Sequence, residues 1–470
     1  MHAATLFTLL AVVGLGWALA VGDLTYRYVA TWASYSTPLP YRIGAVWAGP
    51  NGALLLWALA LGLGAIGAAA SLPRGGLLRA WTVALLGLML LAVLAMASFG
   101  SNPFGRLAFP PNDGRGMPLE WMRPVALVQM PVGYVAMALV SVPSILVVMG
   151  ALGRAPWRAA ARRWTLLCWA LLSAAMLLDW RRRYGDAAWA SDWSWAPVHD
   201  GTAFAWAGAT VLVLATIRVW RSGVSIVAGF AAFTLALVGL ALSRALGWEG
   251  VHDFAASAPG RAAAWLALAV VLAIVVEVRR ASRPAAGMGA RALRISLVAT
   301  MVASVSLVAS GFARVADVAV SEGEQSRVVD RFGSAWTLSL EGVSRVGRED
   351  VVSSVLAVRA VSGGRARAYV TTEVRTLFAP TSGQPVAEEY LSGIAWGVLQ
   401  DLHIDVRDAD ATTAVLSVRF VPMVSWLWAA GIVAVLAALL AAFAGPVNPA
   451  SAVAEDPTTA DATVHEGENA

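Results

Sequence analysis

The chain has no lysine, a single cysteine, and charge on only 13% of its 470 residues. Each scarcity closes a class of function. All 34 basic residues are arginines, and they mostly cluster at the ends of apolar runs, a distribution that reports membrane topology rather than nucleic-acid binding. The one cysteine, Cys168, lies inside the apolar run from Trp164 to Leu178, so there is no intrachain disulfide and no CxxC redox pair; any thiol chemistry has to come from a partner. Glycine-rich phosphate loops are also missing, which argues against ATP-driven transport by the chain itself. Apolar residues fill the space instead. They make up 59% of the chain, and with a mean hydropathy of +0.68 they describe a protein solvated mostly by lipid.

Apolar runs of spanning length occur near Ala3–Ala20, Leu54–Leu72, Leu77–Ser98, Pro131–Leu152, Trp164–Leu178, Thr202–Trp220, Val224–Leu246, Ala262–Val278, Leu293–Phe312 and Val424–Phe443, which predicts about ten transmembrane helices. Ala18-Leu19-Ala20 has the form of a cleavage site, but no basic residue precedes the first run, so an uncleaved first helix is expected. Arginines at 154–163, 218–221 and 279–294 crowd alternate connections, which places those connections and both termini on the cytoplasmic side of the membrane. Arg181–Arg183 fall on the other side, and the loop-to-loop alternation outweighs them.

From Ser321 to Phe420 the pattern changes to polar, alternating sequence, with strands expected at Trp336–Leu340, Val355–Val361, Ala368–Val374 and Val415–Phe420 and a turn at Gly363-Gly364. The expected fold is thus an all-α polytopic bundle (1–312, with a tryptophan-rich segment at 179–206), an extracytoplasmic β-rich domain (313–421), a last transmembrane helix (422–445) and a disordered acidic tail (446–470). The β domain shows no acid pair, no Ser-His-Asp spacing and no metal-ligand cluster, and reads as a docking or structural module.

The tryptophan segment runs Asp179-Trp180-Arg181-Arg182-Arg183-Tyr184-Gly185-Asp186, then Trp189, Trp193, Trp195 and Pro197, ending at Phe204 and Trp206. Indole suits the membrane-water boundary, so an interfacial aromatic belt is one reading. A flat apolar platform with charged edges, fit for a large planar ligand, is the other. Three more connections share its side: Gly22 to Tyr41, leading into Trp47-Ala48-Gly49-Pro50-Asn51-Gly52; Ser101-Asn102-Pro103-Phe104 with Asp113-Gly114-Arg115, leading to Val128-Gln129-Met130-Pro131; and Gly250-Val251-His252-Asp253-Phe254. In this order, and with the closing Arg419-Phe420-Val421-Pro422-Met423-Val424-Ser425-Trp426-Leu427-Trp428, the chain resembles the heme-lyase subunits of cytochrome c maturation (CcmF/NrfE type) in the tryptophan-rich (WWD) heme-handling superfamily. The chain is shorter than usual for that family, with helices missing between Arg283 and Leu293.

The resemblance implies heme on the external segment, held by two histidines from flanking loops, delivered by a heme chaperone and joined to the cysteines of an apocytochrome c CxxCH motif. Carried over by position, Trp189, Trp193, Trp195 and Pro197 match the tryptophan motif and His252 matches the second flanking histidine, an imidazole suited to axial ligation. The departures are as specific. Gln129 stands where the family has its first flanking histidine, Ala196 replaces the motif's Asp, His199-Asp200 replaces its Glu-Asn pair, and Pro50 replaces the histidine of the early Trp-Gly-Gly-His motif. The two histidines that hold a second, intramembrane heme b fall on Leu214 and near Val298, so that heme is expected to be absent.

Simpler readings stand beside each residue. His252 is also an ordinary loop histidine near Asp253 and Glu249; Met130 or His199 could complete the axial pair, but Met130 is equally a packing residue and His199 a partner for Asp200. Arg181–Arg183 could stop a helix at the interface, grip heme propionates, or do both. The expected function is heme-lyase-like, forming thioethers between heme vinyls and apocytochrome c, with other maturation subunits, a thiol reductant and membrane lipid as partners. The alternatives are a non-catalytic scaffold subunit or divergent paralogue without heme, and a small-molecule or lipid permease, disfavoured by the few intramembrane charges.

Overall fold

The helices follow from the length of the apolar runs and stop where arginine, glycine or proline interrupts them. A computed structural model describes residues 1–100, 102–118, 121–153, 155–184, 201–217, 222–245, 287–310, 312–348, 351–363, 365–378, 385–409 and 413–444. Its helices are α1 (His2–Val21), α2 (Arg27–Trp32), α3 (Leu39–Gly44), α4 (Pro50–Ser71), α5 (Leu77–Ala95), α6 (Pro124–Leu139), α7 (Ser141–Gly153), α8 (Arg158–Arg183), α9 (Thr202–Ile217), α10 (Ser222–Ala245), α11 (Met288–Ser310) and α12 (Val424–Phe443). Eight helical stretches among the described residues are long and apolar enough to cross a membrane, α6 and α7 together forming one of 30 residues, and α9 is a shorter apolar helix. The chain is a multi-pass membrane protein. The expected span at Ala262–Val278 lies outside the described residues.

Two boundaries differ from the apolar runs for a local reason. Proline has no N–H to give, so it is tolerated in a helix's first turn, where that donor would be unsatisfied anyway. Pro50 opens α4 and Pro124 opens α6, and each helix starts ahead of its apolar run. Pro143 has no N–H for the carbonyl of Leu139, and the break between α6 and α7 falls at Val140.

The described residues divide into two compact units. One comprises residues up to Asp179, those from 201 to Val298, and those from Val433; the other comprises Trp180–Tyr184 and Ala299–Ile432. In the first unit, close helix contacts rest on small residues. Gly208 lies against Ala232, and a Cβ at Gly201 would come within 1.9 Å of the Gly239 carbonyl oxygen, so α9 and α10 pack backbone to backbone.

In the second unit, nine strands build two antiparallel sheets: β1 (Arg314–Ser321), β2 (Gln325–Val329), β3 (Ala335–Arg348), β4 (Val351–Ser362), β5 (Arg365–Phe378), β6 (Pro385–Leu391), β7 (Gly393–Ala395), β8 (Gln400–Ala409) and β9 (Thr413–Pro422). The sheet orders are β2-β3-β4-β5-β6 and β1-β9-β8-β7. A shared core of Leu338, Leu356, Val358, Ile404, Leu416 and Val418 joins them. The strands expected around Trp336, Val355, Ala368 and Val415 are β3, β4, β5 and β9, and Gly363 makes the expected turn with φ 62°.

Candidate functional site

The residues expected to carry the chemistry divide sharply. Trp189, Trp193, Trp195, Pro197, His199 and His252 lie outside the described residues. The described parts include the first two connections, the helices on either side of the tryptophan segment in the sequence, and the last turn of α8, where that segment begins.

In the first unit, the first two connections are laced into one body. The Arg27 N–H donates to the Gly105 carbonyl at 2.8 Å, the Leu107 N–H to Thr25 at 2.8 Å, and the Arg115 N–H to Ala30 at 2.9 Å. Asp113 accepts from Ser34 Oγ at 2.8 Å, the Tyr35 N–H at 3.0 Å and the Gly114 N–H at 2.7 Å. Burial pushes its carboxyl up, and these bonds outweigh it, holding Asp113 below the usual carboxylate value. Aromatic rings complete the joint: Trp32 stacks on Trp121 with centroids 5.9 Å apart and planes at 13°, and Trp47 tilts against Trp121 at 6.1 Å. The Tyr28 hydroxyl sits 2.9 and 3.0 Å from the carbonyl oxygens of Ala45 and Val46 and accepts the Gly49 N–H at 2.9 Å. A side chain at Gly52 would meet the Val46 oxygen at 1.8 Å, so the Trp47-Ala48-Gly49-Pro50-Asn51-Gly52 turn needs its glycine there.

Gln129 and Met130 sit side by side on α6 but face different ways. Met130 packs among the apolar residues of the first-connection cluster, the packing role open to it from the sequence. Gln129 is buried, and its Oε1 has no hydrogen-bond partner among the described residues. One turn further along the same face, a Cβ at Gly133 would touch Thr202 of α9 at 3.7 Å and Ala175 of α8 at 3.8 Å. Gln129 therefore lies on the face turned toward the two helices that flank the tryptophan segment.

Trp206, expected at the end of the platform, belongs to helix packing. It stacks on Trp169 at 5.9 Å and donates its indole N–H to Ser173 at 2.9 Å, while Trp169 donates to Thr210 at 2.9 Å. Leu214 is half-buried in α9 and Val298 sits part-exposed on α11.

The second unit holds a polar cluster that sequence reasoning missed. Along β8, Leu402, Ile404 and Val406 enter the sandwich core, while Asp401, His403 and Asp405 share the opposite face. That face is buried too, with His403 and Asp401 at 0% exposure. Opposite them on β9 stand Val421, Arg419 and Ser417. Tyr184, just beyond the last turn of α8, is itself fully buried against this face. Its hydroxyl donates to Asp401, which also accepts the Gly397 N–H at 2.8 Å. The Tyr184 ring meets His403 edge-on at 4.5 Å, Trp396 at 5.3 Å and Trp428 at 5.8 Å. Asp405 pairs with Arg419 and accepts from Ser392.

Burial governs the titration of this cluster. It raises Asp401 despite the bonds from Tyr184 and Gly397, raises Asp405 against the pull of Arg419, and with the Arg419 charge lowers His403 from 6.5 to about 3. His403 is thus a neutral imidazole in the fold. Chemically the cluster is an anchor: it fixes Tyr184, at the end of α8, to the β domain. Arg181 lies over the Trp396 ring at 5.3 Å and Arg182 is buried, placements that suit cations at a helix C-terminus and agree with the helix-stop reading. Among the described residues, no group of His, Cys, Asp and Glu has the form of a metal site.

No family profile matches the chain. Curated relatives do. It is 32% identical over 254 residues to the cytochrome c-type biogenesis protein CcmF of Pseudomonas aeruginosa, covering 51% of this chain and 38% of that protein. It is also 28% identical to the cytochrome c-type biogenesis protein NrfE of Haemophilus influenzae, over 53% and 41% of the two chains, and 29% identical to ccl1 of Rhodobacter capsulatus, over 52% and 39%. The matched part thus spans about two fifths of the length of these relatives. A solved structure of the cytochrome c heme lyase CcmF superposes with a TM-score of 0.63 at 18% identity, covering 93% of this chain and 90% of that one, which establishes a shared fold. The resemblance carried by the motifs therefore holds: the chain is similar to CcmF/NrfE-type subunits, multi-pass proteins of the bacterial inner membrane.

Proposed function

We propose that this chain works in c-type cytochrome biogenesis, receiving heme on the outer face of the membrane and presenting it for covalent attachment to the cysteines of an apocytochrome CxxCH segment. The observation that carries the reading is the 32% identity to CcmF over half of the chain. Heme here is cargo and substrate. The tryptophan faces at Trp189, Trp193 and Trp195, turned by Pro197, would pack the porphyrin, and His252 would hold the iron from one side. His199 would supply a second axial donor, or that side stays open; Met130, packed in the first-connection cluster, keeps a packing role. The buried Gln129 Oε1, with no partner among the described residues, supports a polar contact at the position where the family has a histidine.

Each thioether forms by addition of a cysteine S–H across a vinyl C=C: sulfur bonds one carbon and hydrogen ends on the other. The chain's part is orientation, since a strong acid or base is not needed. Leu214 and Val298 offer no donor for iron inside the membrane, so this reading places heme only outside and assigns its reduction, and that of the apocytochrome thiols, to partners. A heme chaperone and the other maturation subunits complete the set.

The Gln129 substitution also favours a second reading, a scaffold subunit that carries no heme. The two separate in cells lacking their own heme-lyase subunit, supplied with this chain and a reporter apocytochrome. Heme-stained reporter should appear with the unaltered chain and fall severalfold with Trp193→Ala or Trp195→Ala. Absence of heme-stained reporter even with the unaltered, stably produced chain would favour the scaffold, and reporter indifferent to both substitutions would remove the tryptophan platform.

A further inference from the structure

The loop between β7 and β8 leaves three large apolar side chains in the open. Trp396 is 51% exposed, Val398 70% and Leu399 57%, whereas the neighbouring β8 residues are buried. An apolar cluster at the tip of a loop is costly in water and ordinarily marks a contact. Its attachment says which contact. The Leu399 carbonyl accepts the Met423 N–H at 2.9 Å, and the Gly397 carbonyl accepts Ser425 Oγ at 2.8 Å, so the loop is hydrogen-bonded to the first turn of α12, a membrane-spanning helix. Met423, with φ 64°, is the joint at which β9 turns into that helix. On α12 itself, Trp426 at 44% and Ile432 at 56% exposure continue the apolar surface. From the other side, Arg181 at the end of the spanning helix α8 lies over the Trp396 ring at 5.3 Å.

We propose that the Trp396–Leu399 loop inserts into the outer leaflet of the bilayer, as a lipid anchor that sets the depth of the β domain. A loop tied to the first turn of a spanning helix sits at the level where that helix enters the lipid. Trp and Arg are the pair found at that level, the indole spanning the headgroup boundary and the guanidinium reaching phosphate while stacked on the ring. Val398 and Leu399 then contact acyl chains, as Trp426 and Ile432 do. The anchor and the Tyr184 cluster are built on the same short stretch of chain, since Gly397 bonds both Asp401 and Ser425. Lipid contact would therefore hold in place the residue from which the tryptophan segment departs. The inference is independent of whether heme is bound.

The test uses the full chain in lipid nanodiscs with Cys168→Ala, which removes the one native thiol, and a nitroxide attached at Val398→Cys or Leu399→Cys. Collision with oxygen, which concentrates in lipid, is compared with collision with a water-soluble nickel chelate. Ile432→Cys on α12 provides the lipid reference, and Tyr369→Cys on β5, at a residue 71% exposed, provides the aqueous one. The expected oxygen-to-nickel ratio at both loop positions is severalfold above that at position 369 and close to that at 432. A ratio matching position 369 would overturn the proposal, and so would labels reached by neither reagent, which would mean the loop is covered by protein.

Discussion

Tyr184 carries no charge, yet its hydroxyl is the link between the end of α8 and β8. Replacing it by Phe keeps the ring contacts with His403, Trp396 and Trp428 and removes one donor from a buried Asp401. Tyr184→Phe should cost roughly 1 to 3 kcal/mol, read as a lower melting temperature of the purified chain. His403 gives a signed pH dependence. Its ordinary value is 6.5 and its folded value about 3, so the neutral ring stabilises the fold above 6.5 and that contribution is lost as pH falls through 3. Asp401 and Asp405, raised by burial, act in the opposite sense, their contribution being lost as pH rises. The isolating measurement is therefore the comparison with His403→Phe: between about pH 7 and about pH 4, acidification should destabilise the unaltered chain more than the variant, by on the order of 3 kcal/mol. Identical pH profiles would show that His403 is not buried as a neutral ring. None of this was legible locally. Tyr184 and Asp401 are 217 positions apart, and strand alternation assigns only one of β8's two faces to a core. The one available signal was Asp401-His403-Asp405 interleaved with Leu402, Ile404 and Val406, a strand in which both faces need cover.

At the scale of elements, the spanning helices were readable because lipid leaves a stretch of that length few other structures. Proline placed the remaining boundaries, and it misled at Pro131, which looked like a start and lies inside α6. The close approach of α9 and α10 was not readable, since glycine in a spanning helix announces only that something comes near. Gly201 has φ 74° as well as the Gly239 oxygen at 1.9 Å from a Cβ, so Gly201→Ala combines backbone strain with overpacking and should cost roughly 1 to 3 kcal/mol or more. Reduced yield and a lowered melting temperature would follow. By contrast Gly75→Ala, at φ 86° with nothing within 4 Å, brings strain alone and should do less harm. Equal damage from the two would mean that helix contact at Gly201 is unimportant.

For the whole molecule, the membrane bundle and the inserted β domain could be anticipated from composition and period, and the relationship to CcmF/NrfE-type subunits from motifs in order. The proposed heme site is a pattern of residues rather than a geometry, because its parts come from three separate connections and Trp189, Trp193, Trp195, Pro197, His199 and His252 stand outside the described residues. What the structure adds is local to each unit: in the first, connections one and two laced through Asp113 and Gln129 buried on the face toward α8 and α9; in the second, Tyr184 held by Asp401. The most direct test of the account is the visible absorption spectrum of the detergent-purified chain supplied with heme, with and without reductant, for the unaltered protein and His252→Ala. A Soret band that shifts on reduction and is lost or displaced in His252→Ala is the predicted result; a colourless unaltered protein would contradict heme handling, and a band unchanged by the substitution would remove His252 from the iron.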